Sequence, residues 1–116
     1  MLNEIRDCLE QLNLGPVMYG RATNVPDQWN YIVFARRNLK NGTNIDKNRY
    51  YNIVIVHEDY IPEGTEISVL KELKNVKGLH IANDDIQYDY MVKKDTQTVV
   101  EMAVITVYEI IKGYKV

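Results

Sequence analysis

Residues 50–76 read YYNIVIVHEDYIPEGTEISVLKELKNV, and the fold class follows from how this stretch changes period. Ile53-Val54-Ile55-Val56 is a run of β-branched residues, which lose side-chain freedom in a helix and suit a pleated surface. Pro62 and Gly64 then turn the chain. Beyond them Ile67, Leu70, Leu73 and Val76 recur at near-helical spacing, so a strand hands over to an amphipathic helix. Thr65 is read as the N-cap with Glu66 in the first turn, and Gly78 as the stop, with Lys74 and Lys77 near the negative end. Strand, turn and a helix that must lie on a sheet form the nucleus of an α+β layer.

Working outward, residues 2–13 carry Leu2, Ile5, Leu9 and Leu12 on one helical face, with Asn3 as a starting cap and Gly15-Pro16 as the stop. Residues 16–30 are turn-rich, with a short strand at Val17 to Tyr19 and Trp29 against the sheet edge. Tyr31 to Arg37 alternates Ile32 and Phe34 against Tyr31, Val33 and Ala35. Both sides are apolar at its start, so both faces should be covered there, by helices or by another subunit. Residues 38–49, NLKNGTNIDKNR, show no apolar period and contain Asn41-Gly42, so they read as a long hairpin loop. After the helix, Ile86 to Val92 alternates Tyr88 and Tyr90 against Gln87, Asp89 and Met91. A final strand at Thr98 to Ile111 places Val100, Met102, Val104 and Tyr108 opposite Glu101, Ala103, Ile105 and Val107.

The expectation is one α+β domain over residues 1–116, an antiparallel four-stranded sheet with two helices on one face in the order α-β-β-α-β-β. That order is also a circular permutation of the ferredoxin-like pattern. Two helices cannot cover both faces of such a sheet, and large exposed apolar patches mark association. Nine tyrosines against one Phe and one Trp point the same way, because tyrosine suits surfaces that are apolar on one side and wet on the other.

Composition excludes several functions. A formal net charge of -2 argues against phosphate-backbone binding, so no specific nucleic-acid partner is expected, and the Arg36, Arg37, Lys40, Lys47 and Arg49 cluster reads as a salt-bridging surface. No apolar run is long enough to span a bilayer. The charged start, MLNEIRDCLEQ, has no signal-peptide core, and a lone Cys8 cannot staple its own chain. No phosphate-cradling glycine motif or nucleophile elbow occurs. His57-Glu58-Asp59 with Asp84-Asp85 is the one catalytic-looking cluster. Its spacing fits no metal-binding pattern, and such acidic pairs usually solvate loop ends. No enzyme activity, metal or cofactor is expected.

VMYGRATNVPDQWNYIVFARR (17–37), RYYNIVIVHEDYIPEGTEISVLKEL (49–73) and DDIQYDY (84–90) together resemble small neck proteins of bacteriophages and prophages with long, non-contractile tails. The likeness is to the tail terminator group, also described as tail completion, minor capsid or head–tail joining proteins. The resemblance implies a virion protein of the tail and neck, assembled in the host cytoplasm. It implies a homo-oligomer, a hexameric ring that caps the tail tube protein and joins it to the head connector. On that reading Tyr88, Tyr90, Glu101 and Tyr108 are candidate ring-interface residues, and Lys40, Asn41, Gly42, Asn44, Lys47 and Arg49 form a contact arm. The rival readings are a small dimeric ferredoxin-like binding or regulatory module, and a metal-dependent enzyme centred on His57, Glu58, Asp59, Asp84 and Asp85.

Overall fold

The computed structural model describes residues 1–42, 45–83 and 85–113. The chain runs α1 (Leu2–Gln11), β1 (Val17–Tyr19), β2 (Asn30–Asn41), β3 (Lys47–Glu58), α2 (Thr65–Lys74), β4 (Leu79–Ile81), β5 (Gln87–Val92) and β6 (Val99–Ile111). Two helices pack on one mixed sheet of six strands, an α+β arrangement as expected. The sheet order is β1-β2-β3-β6-β4, with β5 also on β6.

The antiparallel core is β2-β3-β6-β5, the two expected hairpins joined through β3 and β6. Two short strands join the expected four in the sheet: β1, the short strand expected at Val17 to Tyr19, and β4. β1 lies parallel to β2 from Val17↔Ile32 to Tyr19↔Phe34. β4 and β5 both run antiparallel along the same edge of β6, β4 at Val107 to Glu109 and β5 at Val99 to Val104. Between them they keep β6, at 13 residues, paired along most of that edge.

One face of the sheet carries the main core. Ile32, Phe34, Tyr51, Ile53, Ile55, Ala103, Ile105 and Val107 meet Ile5, Cys8 and Leu9 of α1 and Val69 and Leu73 of α2. Cys8 is buried there as ordinary packing. Of the expected α2 stripe, Leu70, Leu73 and Val76 pack on the core, and the start differs. Ile67 is 64% exposed, while Val69 and Leu73 are fully buried. A three-residue spacing drifts off a 3.6-residue turn, whereas the four-residue pair stays on one face. The caps differ too. Gly64, at φ 88, holds the N-cap of α2, Thr65 is its first helical residue, Met1 caps α1, and Asn3 lies inside that helix.

The second face at the start of β2 is covered by the chain itself, through a segment that is not a helix. Residues 20–29 fold over it. Ala22, Val25 and Trp29, with Met18 of β1, pack on Tyr31, Val56 and Val100. Trp29 thus sits on a face rather than at the sheet edge. Its ring meets Tyr31 at 6.3 Å and the Lys93 ammonium at 5.5 Å. Gly15 lets the chain begin this crossing. It holds φ 117, and a Cβ there would lie 2.0 Å from the Asn30 carbonyl oxygen.

The expected loop at 38–49 is largely strand. β2 continues to Asn41 and β3 starts at Lys47, past a β-bulge between Arg36 and Asn38. The polar residues conceal this because their order comes from backbone pairing, with β6 backing β3 as far as Lys47↔Ile111. The arm extends the molecule to 51 × 25 × 24 Å.

Candidate assembly surfaces

The four candidate interface residues fall on two faces. Tyr88, Tyr90 and Glu101 lie on the helix-bearing face, where Tyr90 pairs across with Glu101 and Tyr88 with Ala103. Glu101 Oε1 accepts the Ile61 N–H at 2.8 Å and Oε2 accepts the Tyr90 hydroxyl at 2.8 Å. The Tyr88 hydroxyl donates to Glu66 of α2. These carboxylates favour the protonated phenols, so Tyr88 is pushed up to about 12 and Tyr90 is also raised. Glu101 therefore fixes the 59–61 turn and β5 in place, and the two rings stand in water beside it: Tyr90 is 61% exposed. Exposed Tyr60, Val92 and Val99 belong to the same end of the sheet.

Tyr108 sits on the opposite face. Its ring lies between Tyr50 at 5.2 Å and His80 at 5.1 Å, its neighbours on β3 and β4. This aromatic row borders an open polar trough of about 410 Å³ lined by Arg37, Asn38, Lys40, Tyr50, Ala82, Asn83 and Tyr108. His80 serves as a strand residue in that row, as its position in sequence suggests.

Of the contact-arm residues, Lys40, Asn41, Lys47 and Arg49 are strand residues, and Gly42 lies in the connection, where its N–H donates to Asp46 O at 2.9 Å. The Lys47 ammonium donates to Asn41 Oδ1. Asn44 lies outside the described residues. The Lys47–Asn41 bond crosses between the two strands of the arm, and Leu39 (47%) and Ile110 (39%) are exposed along it.

The acidic cluster is dispersed. Glu58 is ion-paired with Lys93 at 2.7 Å, which lowers its pKa. His57 Nδ1 lies 2.8 Å from the Glu58 carbonyl oxygen. Asp59 is exposed with φ 64, and Asp85 is exposed; Asp84 lies outside the described residues. Among the described residues no three His, Cys, Asp or Glu side chains gather as a metal site, and no helix is long and apolar enough to cross a membrane.

Sequence reasoning missed what the backbone of β5 does. All six residues of this strand are exposed, and among the described residues it pairs only with β6. The Lys93 N–H donates to Thr98 O at 2.9 Å. By antiparallel alternation Met91, Asp89 and Gln87 turn their backbone groups to β6, while Ile86, Tyr88 and Tyr90 turn theirs outward. Alternation in IQYDYMV predicts a strand; only topology shows that it is an edge. No protein-family model matches this chain, and no curated protein matches its sequence.

Proposed function

We propose that this protein is a structural virion-assembly subunit of the tail terminator kind. It forms a homo-oligomeric, hexameric ring that caps the tail tube and offers its other rim to the head connector. The observation that carries the reading is β5, an exposed edge strand bearing Tyr88, Tyr90 and Val92. Such an edge is a ready template for another chain, and proteins that leave one uncovered commonly use it. The α+β arrangement, with the β2-β3-β6-β5 core and both helices on one side, is compatible with the sheet that this reading requires. Because residues 20–29 already cover part of the second face, association rests on edges and the arm rather than on that face.

The mechanism is geometric. One subunit's edge meets a different surface of the next, and a rotation that closes yields a ring of fixed size. The ring matches the end of the tube and stops its growth. This reading assigns no catalytic step, and the Glu58 carboxylate acts in it as the ion-pair partner of Lys93.

The test has two parts. Light scattering should give a six-subunit mass, alone or on addition of tail tube protein, and added protein should halt elongation of polymerising tube protein at substoichiometric amounts. A dimer at every concentration with no effect on elongation would replace this reading with the dimeric binding module.

A further inference from the structure

The second open edge of the sheet belongs to the arm. β1 covers β2 only as far as Phe34, where the Gly20 N–H donates to Phe34 O at 2.9 Å. Beyond it the alternation set by this bond, and by the Gly42 N–H donating to Asp46 O, turns the backbone groups of Arg36, Leu39 and Asn41 outward. Ordinarily these would keep a two-residue rhythm, but the bulge spaces Arg36 and Leu39 by three. We infer that the arm edge of one copy, at Arg36, Leu39 and Asn41, pairs antiparallel with the β5 edge of the next, at Tyr90, Tyr88 and Ile86. This rests on the ring reading and names its contact.

Three independent features select that occupant. The first is direction. β2, β3, β6 and β5 alternate, so a β2 laid antiparallel on β5 points the same way as the first β2, and both copies keep their helices on the same side. The contact therefore repeats by rotation without a flip.

The second is charge. On the helix-bearing face Arg36 arrives opposite Tyr90, beside the Glu101 carboxylate. On the other face Lys40 arrives opposite Gln87, between Asp85 and Asp89. Leu39 meets Tyr88, and both are exposed in the single chain. A one-residue slip would send every side chain to the wrong face. Pairing β5 with a second β5 instead sets Asp89 opposite or diagonal to its own copy, which is unfavourable.

The third is closure. In this register each copy is displaced by about six residues, roughly 20 Å, along the strands for every four strands, roughly 19 Å, across them. The strands then incline at about 45°, at the upper end of the range for closed barrels.

Cysteine crosslinking of the full chain tests the register. Asn38 falls opposite Asp89 between two copies at a non-hydrogen-bonded position, beside the bulge at Arg37; a regular ladder sets such Cα atoms about 4.5 Å apart, and a disulfide spans up to about 6.8 Å. Within one chain they lie on opposite edges, three strand spacings or about 14 Å apart across the sheet alone. Both are exposed, and Cys8 is buried. Under mild oxidation the Asn38→Cys/Asp89→Cys double variant should give a non-reducing ladder of multimers, and each single variant should stay monomeric on the gel. Dimers from Asp89→Cys alone would overturn the inference in favour of β5–β5 pairing. A six-subunit mass by light scattering with no 38–89 disulfide would overturn the edge contact and leave the ring. A monomeric mass with no disulfide, with or without tube protein, would overturn both.

Discussion

The sheet has two faces that solve the same burial problem differently. On one, two helices present Ile5, Leu9, Val69 and Leu73 to the strands, and all four are fully buried. On the other, a turn-rich segment without helix or strand lays Ala22, Val25 and Trp29 over Tyr31, Val56 and Val100, and none of the three covering residues is fully buried. The helices bring their own hydrogen bonds and need only an apolar stripe. The 20–29 segment must be tied down from outside. Lys93, from the β5–β6 turn, does this: its ammonium donates to the Asp27 carbonyl, lies over the Trp29 ring and pairs with Glu58. The helix face should therefore carry global stability, and the segment face a local opening equilibrium.

The sharpest way to break this contrast is a deletion on the helix face. Leu73→Ala should cost about 2–5 kcal/mol, because α2 and the sheet cannot both close on the space left. Chemical denaturation would show a lower midpoint at an unchanged slope. Gly15→Ala should come next. The strained dihedral costs on the order of 1–3 kcal/mol by itself, and the clash with the Asn30 carbonyl adds to it. Trp29→Ala should cost less, about 1–2 kcal/mol, since the half-buried ring recovers only part of its transfer energy on folding. Its larger effect should be local: amide exchange across 20–29 accelerates while that of β3 and β6 does not. Equal acceleration everywhere would mean that the two faces unfold as one unit.

How much of this could be read from sequence depends on what ordered each segment. Ile53 to Val56 and Val99 to Ile111 were legible because side-chain period and burial coincide in them. Val25 and Trp29 were visible as apolar residues in a turn-rich stretch, yet no periodicity says which surface such a segment covers. Residues 38–41 and 47–49 carry no apolar pattern at all, because partner strands order them through the backbone. The same reason separated the candidate site. Tyr88, Tyr90 and Glu101 share one face, while Tyr108 lies on the other with Tyr50 and His80. The outward-turned groups of β5 depend on sheet order, which local sequence does not encode.

Titration sharpens the comparison at smaller amplitude. On the helix face the buried Tyr51 donates to Glu109, and desolvation, with that carboxylate, pushes the phenol up to about 12. A raised pKa means the folded state holds its proton more tightly. Stability from this pair is complete below the ordinary value near 10 and is lost as pH rises toward 12. Tyr51→Phe should flatten the alkaline fall of the denaturation midpoint.

Glu58 reports the segment face from the acid side. Its hydrogen bond to Lys93 is the largest cause holding it below the ordinary carboxylate value of 4.5. A depressed pKa works in the opposite sense to Tyr51. The contribution is present above 4.5 and disappears as pH falls through the lower folded value. What is lost is the anion that holds the Lys93 ammonium over Trp29. The protein's one tryptophan is then a direct reporter. Its fluorescence should shift toward that of a water-exposed indole on acidification, with a midpoint below 4.5, before the far-ultraviolet signal of the helices changes. Glu58→Gln should give the acid-side spectrum at neutral pH and remove the midpoint. Fluorescence and far-ultraviolet signals that move together in the native protein would place Trp29 in the same cooperative unit as the helices, and the contrast between the two faces would be wrong.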